Sequence, residues 1–366
     1  MSEITPLEFE IRRRIDAAGP MPVAEYMGLC LGHPEHGYYV TRDPLGARGD
    51  FTTAPEISQM FGELIGLWIA AVWTRMGSPE NVRLIELGPG RGTLMKDALR
   101  AMQVMPALHQ AAVVHLVEIS PVLRAQQRAT LAEQPVQINW HDTLDEVPDG
   151  PAIVVANEFF DAIPVNQAVK KDGGWHERCI EIGADGALAF TAAPNPLPHF
   201  ERLLPPAVRN AAPGSIFEWR GDTAGMSLGR RVADSRGAAL VIDYGHAESA
   251  VGETLQAVGQ HAYADVLAVP GTVDVTAHVD FEALARSVES MGATAHGPLA
   301  QSQFLRRLGI DTRAMKLKAR ATPRVAADID TAVSRLIGVG RRDMGLLFKA
   351  AAYTHPALGV PPAFDS

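Results

Sequence analysis

"LIELGPGRGT" (residues 84–93) runs as a short apolar strand, meets an acid at Glu86, then sets glycines at Gly88, Gly90 and Gly92 ahead of Thr93. Glycine inside regular structure costs about 0.5–1 kcal/mol relative to alanine. Its use here has two readings: a tight strand-to-helix turn, or backbone brought close to a ligand. The spacing is not that of the nicotinamide fingerprint G-x-G-x-x-G, whose third glycine serves helix–strand packing. The pattern is E-x-G-x-G-x-G. An acid beside a helix N-terminus repels a pyrophosphate and attracts a cation, such as the amino group of an amino-acid moiety.

Working outward, "VRLIEL" (82–87), "VVHLVE" (113–118), "VQINW" (136–140) and "AIVVAN" (152–157) read as strands, and amphipathic patterns follow from Thr93 and over 120–134. Continuous β-branched runs alternating with helices predict βαβ units and a mostly parallel sheet buried on both faces, an α/β fold. Upstream, residues 4–19 and 21–31 have helical spacing, and a long apolar helix covers roughly 56–76. After Pro164 the rhythm changes to antiparallel strands with turns at Asp172–Gly174 and Asp185–Gly186. "AALVIDYGH" (238–246) resumes the buried-strand pattern, and "GLLFKAAAY" (345–353) reads as a late edge strand. The expected organisation is an N-terminal helical region over 1–80, a first core half over 81–164, an inserted α+β substrate or lid segment over 165–236, and a second core half over 237–366.

The chain has 366 residues, 47% hydrophobic and 20% charged, which is ample material for a core. Its formal net charge of −9 lacks the basic footprint of a nucleic-acid binder and suits cationic partners. The two cysteines, Cys30 and Cys179, make neither a zinc pattern nor a disulfide framework, which favours a reducing compartment. His33 and His36 lack a third ligand, so no metal is expected. The apolar stretch 64–73 is too short for insertion into a bilayer. The N-terminal residues lack an apolar secretory core and carry acids at Glu3, Glu8 and Glu10, which predicts a cytoplasmic protein.

Acids at strand ends are the candidate ligand contacts. Glu118 ends the second strand, where a carboxylate can accept both hydroxyls of a ribose; stabilising the next helix through its dipole is the plainer reading. Asp142, just past the third strand, could accept from an adenine amino group or simply cap the next turn. After the fourth strand, "NEFFDAIP" (157–164) brings Asn157, Glu158 and Asp161. Glu158 and Asp161 are spaced i, i+3, which would set them on one side of a helical turn. Two carboxylates there could grip a guanidinium and draw charge from the attacking nitrogen; a helix cap beside core phenylalanines is the competing reading. "ARGDFTTAPEIS" (47–58) reads as a loop with a helix start at Thr53 or Ala54. Asp243 ends the strand after the insertion and also points to the functional edge, or serves the turn before Gly245.

The motif "ELGPGRGT" followed by "VE" resembles class I S-adenosylmethionine (SAM) methyltransferases. Residues 37–66, "ELGPGRGTLMKDALR" (86–100), "VEISPVLRAQQ" (117–127), "NEFFDAIPV" (157–165), "VIDYG" (241–245), "PGTVDVTAHVDF" (270–281), "QSQFLRRLGI" (301–310) and "MGLLFKA" (344–350) resemble the MidA family, in order along almost the whole chain. The resemblance implies a class I Rossmann-like sheet and SAM as methyl donor. Glu86, Gly88, Gly90, Gly92, Glu118, Asp142 and Asn157 would form the donor site, with Asp50, Thr53 and Glu56 near the methionine end. Glu158 and Asp161 would be catalytic. Members of the family include a protein arginine methyltransferase acting on a 49-kDa-type subunit of respiratory complex I, so the resemblance implies a protein substrate of that kind. A SAM-binding assembly factor without turnover, or a methyltransferase for another acceptor, stays open at this point.

Overall fold

The computed structural model describes residues 4–41, 53–259, 262–340 and 343–365. The chain divides into two compact units. One comprises Thr52–Phe159, Asp222–Ala247 and Leu284–Ser366; the other comprises Met1–Phe51, Phe160–Gly221 and Glu248–Ala283.

The first unit is built on β1 (Val82–Leu87), β2 (Ala112–Val117), β3 (Gln137–His141), β4 (Ala152–Asn157), β5 (Ala238–His246), β6 (Thr294–Ala300) and β7 (Phe348–Thr354). Their order in the sheet is β6-β7-β5-β4-β1-β2-β3. β1 to β5 are mutually parallel where they pair, whereas β7 runs antiparallel to both β5 and β6. β1, β2, β4, β5 and β7 are nearly continuous in buried side chains because helices cover both faces of a parallel sheet, whereas β3 and β6 at the two edges are only half-buried. On one face, helix α1 (Gln59–Arg75) packs against α2 (Thr93–Met102), burying Phe61, Leu64, Ile65 and Trp68 with Leu94, Ala98 and Leu99. Gly66 permits that approach: a Cβ there would lie 2.5 Å from the Ala98 carbonyl oxygen. Glu63, buried in α1, holds Arg100 at 3.0 Å and Arg313 at 2.7 Å, tying α2 and the helix Ile310–Lys318 to α1.

The second unit carries a five-stranded antiparallel sheet. Gly174–Ile182 pairs with Asn166–Lys171, Leu188–Pro196 and the two-residue strand Met21–Pro22, and Ile216–Trp219 pairs with Asn166–Lys171. Gln256–Gly259, Ala262–Ala264 and Asp274–Thr276 form a smaller sheet. The helices Pro6–Ala18 and Val23–Gly32 supply Leu7, Ile11, Tyr26 and Met27 to a core shared with Val165, Ile180 and Val275. Arg220 staples this unit internally, its guanidinium donating to the carbonyls of Asp161, Ile163, Ala277 and His278.

The sheet differs from the expectation at one strand. Phe348–Thr354 is an interior strand between β5 and β6, and β6 takes the edge. The last strand inserts antiparallel because its ladder matches β5 over seven residues, Ala238↔Thr354 to Tyr244↔Phe348. The units also cut across the expected boundaries. The helix Thr223–Asp234 packs on β4, β5 and β7 of the first unit, while 248–283 joins the second. The physical reason is that helix periodicity shows an apolar face without showing which sheet will bury it.

Candidate functional site

The glycine turn leaves β1 with three consecutive left-handed glycines, Gly88 at φ 61°, Gly90 at φ 52° and Gly92 at φ 80°. All three therefore have a conformational reason to be glycine, since other residues pay to enter that region. Gly88 has a steric reason as well: a Cβ would stand 2.9 Å from Cδ2 of Phe159. Gly92 precedes the first turn of α2 without any side-chain cap.

Strand register places the acids. Glu86 pairs with Leu116 on β2 and with Val155 on β4. Side chains alternate faces along a strand, so Glu118 and Asn157, each two residues beyond those partners, project to the same face as Glu86. Glu86 is 2% exposed, and burial pushes its carboxyl up to about 8. Among the described residues its Oε2 has no hydrogen-bond partner, nor does Oδ1 of buried Asn157. Two buried acceptors left open among the described residues, on one face at the carboxyl ends of adjacent strands, suit a ligand donor. An ammonium group suits them, because its charge would repay the desolvation that raises the Glu86 pKa.

Glu118 is buried too, and burial raises its pKa. Its Oε1 accepts the Ser120 N–H at 2.8 Å and its Oε2 accepts from Nε2 of Gln127 at 3.3 Å. Each oxygen retains a lone pair for a ligand hydroxyl. Gln127 was not among the sequence candidates. It is fully buried, its Nε2 also donates to the Gly90 carbonyl at 2.7 Å, and its Oε1 accepts from Nε1 of Trp140 at 2.9 Å. It thus ties the glycine turn to Glu118 and β3. The signal was available: a polar residue four positions after buried Leu123, on the apolar stripe of the helix Pro121–Thr130.

Asp142 follows β3 and pairs with Arg124 at 2.5 Å, while its N–H donates to Glu146 at 2.9 Å. Its side chain is mostly exposed and is held by Arg124 instead of by a backbone N–H. Thr53 precedes the short helix Ala54–Ile57 and makes no side-chain cap bond. That helix is held from two sides: the Ala54 N–H donates to Oε1 of Glu158 at 3.3 Å, and the Thr93 hydroxyl donates to Oε1 of Glu56 at 2.5 Å. Asp50 lies outside the described residues.

Residues 158–161 do not form the expected helical turn. They are bends and turns, and Glu158 sits at φ 52°, which a right-handed helix excludes. Glu158 belongs to the first unit and buried Asp161 to the second. The Glu158 carboxylate accepts from Nδ2 of Asn157 at 3.1 Å as well as from Ala54. Asp161 anchors its surroundings through its carbonyl, which accepts the Ala277 N–H at 3.2 Å. His33 and His36 stack on each other, and among the described residues no cluster of His, Cys, Asp and Glu could hold a metal. No helix of the described residues is long and apolar enough to cross a membrane.

A parallel sheet of this order with its last strand antiparallel, a left-handed glycine turn after the first strand and acids after the first two define a class I methyltransferase. Residues 64–299 match the family described as "Putative S-adenosyl-L-methionine-dependent methyltransferase". A Drosophila melanogaster protein named "Protein arginine methyltransferase NDUFAF7 homolog, mitochondrial" is 37% identical over 86% of this chain and 77% of its own length. The Homo sapiens protein named "Protein arginine methyltransferase NDUFAF7, mitochondrial" is 38% identical over 85% of this chain and 75% of its own. A crystal structure from Burkholderia thailandensis, bound to S-adenosyl-homocysteine, covers 98% of this chain and 92% of its own with a TM-score of 0.83 at 29% identity. The chain belongs to this family of SAM-dependent methyltransferases, and SAM is its methyl donor.

The expectation of a cytoplasmic protein is corrected by the same relatives, which carry mitochondrial names. Of the N-terminal acids, Glu8 and Glu10 belong to the helix Pro6–Ala18, where they pair with Arg12 and Arg13, so they report helix ion pairing instead of an address; Glu3 lies outside the described residues.

Proposed function

We propose that the protein methylates an arginine of a protein substrate, with the 49-kDa-type subunit of respiratory complex I, which the family resemblance implies, as the client. The names of the relatives support the arginine, and the observation that carries the reading is the turn at Glu158. A non-glycine residue held at φ 52° directly after β4 stores strain on the order of 1–3 kcal/mol, and strain of this kind, held by the surrounding structure, clusters at active sites.

Bound SAM supplies a methyl group on a positively charged sulfur, open to attack by a lone pair. In this reading, Glu86 Oε2 and Asn157 Oδ1 accept from its ammonium, Glu118 accepts from its ribose hydroxyls, and the Gly88–Gly92 backbone leaves room for its close approach. Thr53 offers its hydroxyl near the methionine end, and Asp142 borders the adenine side. Glu158 receives the acceptor guanidinium. A guanidinium is a poor nucleophile because its charge is delocalised and its pKa exceeds about 12. A carboxylate aligned with its N–H donors localises that charge away from the attacking nitrogen and lowers the barrier by electrostatic preorganisation. Asp161 is a second candidate carboxylate, to be tested by substitution on its own.

The test is transfer from tritiated-methyl SAM into an extract of cells lacking the protein, with and without the purified chain. Acid hydrolysis of the labelled protein should release methylarginine, and peptide sequencing should place it in the complex I subunit. Label recovered as methyl-lysine or a methyl ester would overturn the arginine assignment. Methylarginine in another protein would overturn the client alone.

A further inference from the structure

We propose that Asp243 is a positioning residue for methyl transfer, holding the left-handed turn that aims Glu158; the proposal rests on the role given to Glu158 above. Asp243 lies in β5 and is 0% exposed. Burying a carboxylate is costly unless its oxygens are well bonded. Here Oδ1 accepts the Tyr244 N–H at 2.9 Å and Oδ2 accepts the Phe159 N–H at 3.2 Å.

The place of that second bond gives it its meaning. The parallel ladder between β4 and β5 runs through Asn157↔Ile242, and the Glu158 N–H still donates to the Ile242 carbonyl at 2.9 Å. Glu158 then turns left-handed just past the end of β4. The Asp243 side chain meets the next N–H, that of Phe159. This charge-assisted bond fixes the residue after the strained one.

Two consequences follow from the fixed turn. The Glu158 carboxylate reaches the Ala54 N–H at 3.3 Å, which sets its direction beside the start of the helix Ala54–Ile57. The Phe159 ring settles against Gly88, within 2.9 Å of where a Cβ would be. One buried carboxylate therefore fixes both the acceptor-side acid and the residue lying on the glycine turn. The task requires two acceptor oxygens. Asparagine offers one, and its NH₂ group would face a backbone N–H.

The experiment compares D243N, E158Q and the double variant as purified full-length chains. The probes are tritiated-methyl SAM with an extract of cells lacking the protein, for single-turnover labelling, and calorimetry for the SAM Kd. Melting and hydrogen exchange of the peptide containing residues 158–160 verify folding and report the turn. We expect D243N to fold, to bind SAM within about threefold of the wild type, to exchange its Phe159 amide faster and to label about 10- to 100-fold more slowly. The double variant should be no slower than E158Q alone, because Asp243 acts through Glu158. Wild-type labelling by D243N while E158Q is slow would overturn the positioning role and leave Glu158 standing. Rate losses that multiply in the double variant would also overturn it. Wild-type labelling by E158Q would remove the Glu158 reading, and the positioning role with it. Should D243N fail to fold, D243S, smaller and uncharged, carries the same comparison.

Discussion

Two turns leave neighbouring strands of the same sheet, one after β1 and one after β4, and both pass through left-handed backbone. The first does so with three glycines, for which that region is as accessible as any other. The second does so with Glu158, and holds it there through the Ile242 carbonyl, the Asp243 carboxylate and the Ala54 N–H. The difference teaches where each turn's function resides. A glycine turn offers backbone and space, so its chemistry is close approach. A strained glutamate offers a side chain in a direction that relaxed backbone would not give, so the chemistry proposed for it lies in the carboxylate.

The comparison breaks most visibly at Gly90. Gly90→Val puts a β-branched side chain at φ 52° and fills the space proposed for SAM. The Kd for SAM should weaken by about 100-fold or more, a loss of at least about 2.7 kcal/mol. Calorimetry on the folded variant reads it, and an unchanged Kd would reduce the glycines to a plain turn. At the other turn, Glu158→Gln preserves shape and removes charge. Single-turnover labelling should fall by about 10²–10³ while SAM affinity holds, the scale of losing one preorganised electrostatic group.

A smaller effect sharpens the donor side through pH. Glu86 is protonated below about 8 in the free protein because burial raises its pKa. Pairing with an ammonium requires the ionised form, so binding releases a proton and SAM affinity should rise with pH. The limit is up to about tenfold per unit, continuing until the ligand's own amine deprotonates near 8. Glu86→Gln should flatten this acid limb. The raised pKa also means that the stability linked to the protonated acid is complete below about 4.5 and is lost as pH passes through about 8. The Gln variant of the free protein should therefore melt higher than wild type at alkaline pH.

The smallest effect contrasts the two turns directly by stability. Gly88→Ala must hold a side chain at φ 61° against Phe159, costing about 1–3 kcal/mol. Glu158→Gly relieves strain but loses the bond to Ala54 and gains unfolded-state freedom, so its net change should stay within about 1 kcal/mol. Thermal melts of the two variants decide whether Glu158 is strained as the comparison requires.

Much of the site was legible because parallel strands announce themselves. An apolar run that ends in an acid, as at Glu86 and Glu118, marks a strand end, and strand ends in such sheets share one edge. Glu158 was legible by position but not by conformation. The i, i+3 spacing with Asp161 suggested a helical turn, and nothing local in "NEFFDAIP" reveals that Asp243, 84 residues away in sequence, would hold the Phe159 N–H. Gln127 went unnoticed because its hydrogen bonds run to a turn, an acid and a tryptophan on three other segments.

By itself the sequence determined the first five strands of the core sheet, their parallel sense and the residues that stand at their carboxyl ends. These follow from hydrophobic periodicity and glycine placement, which are local properties. Tertiary structure alone decided that Phe348–Thr354 enters the sheet's interior, that three distant segments build the second unit, and that Glu158 turns left-handed. Each of those depends on hydrogen bonds between residues far apart in the chain, whose partners are chosen only when the whole fold closes.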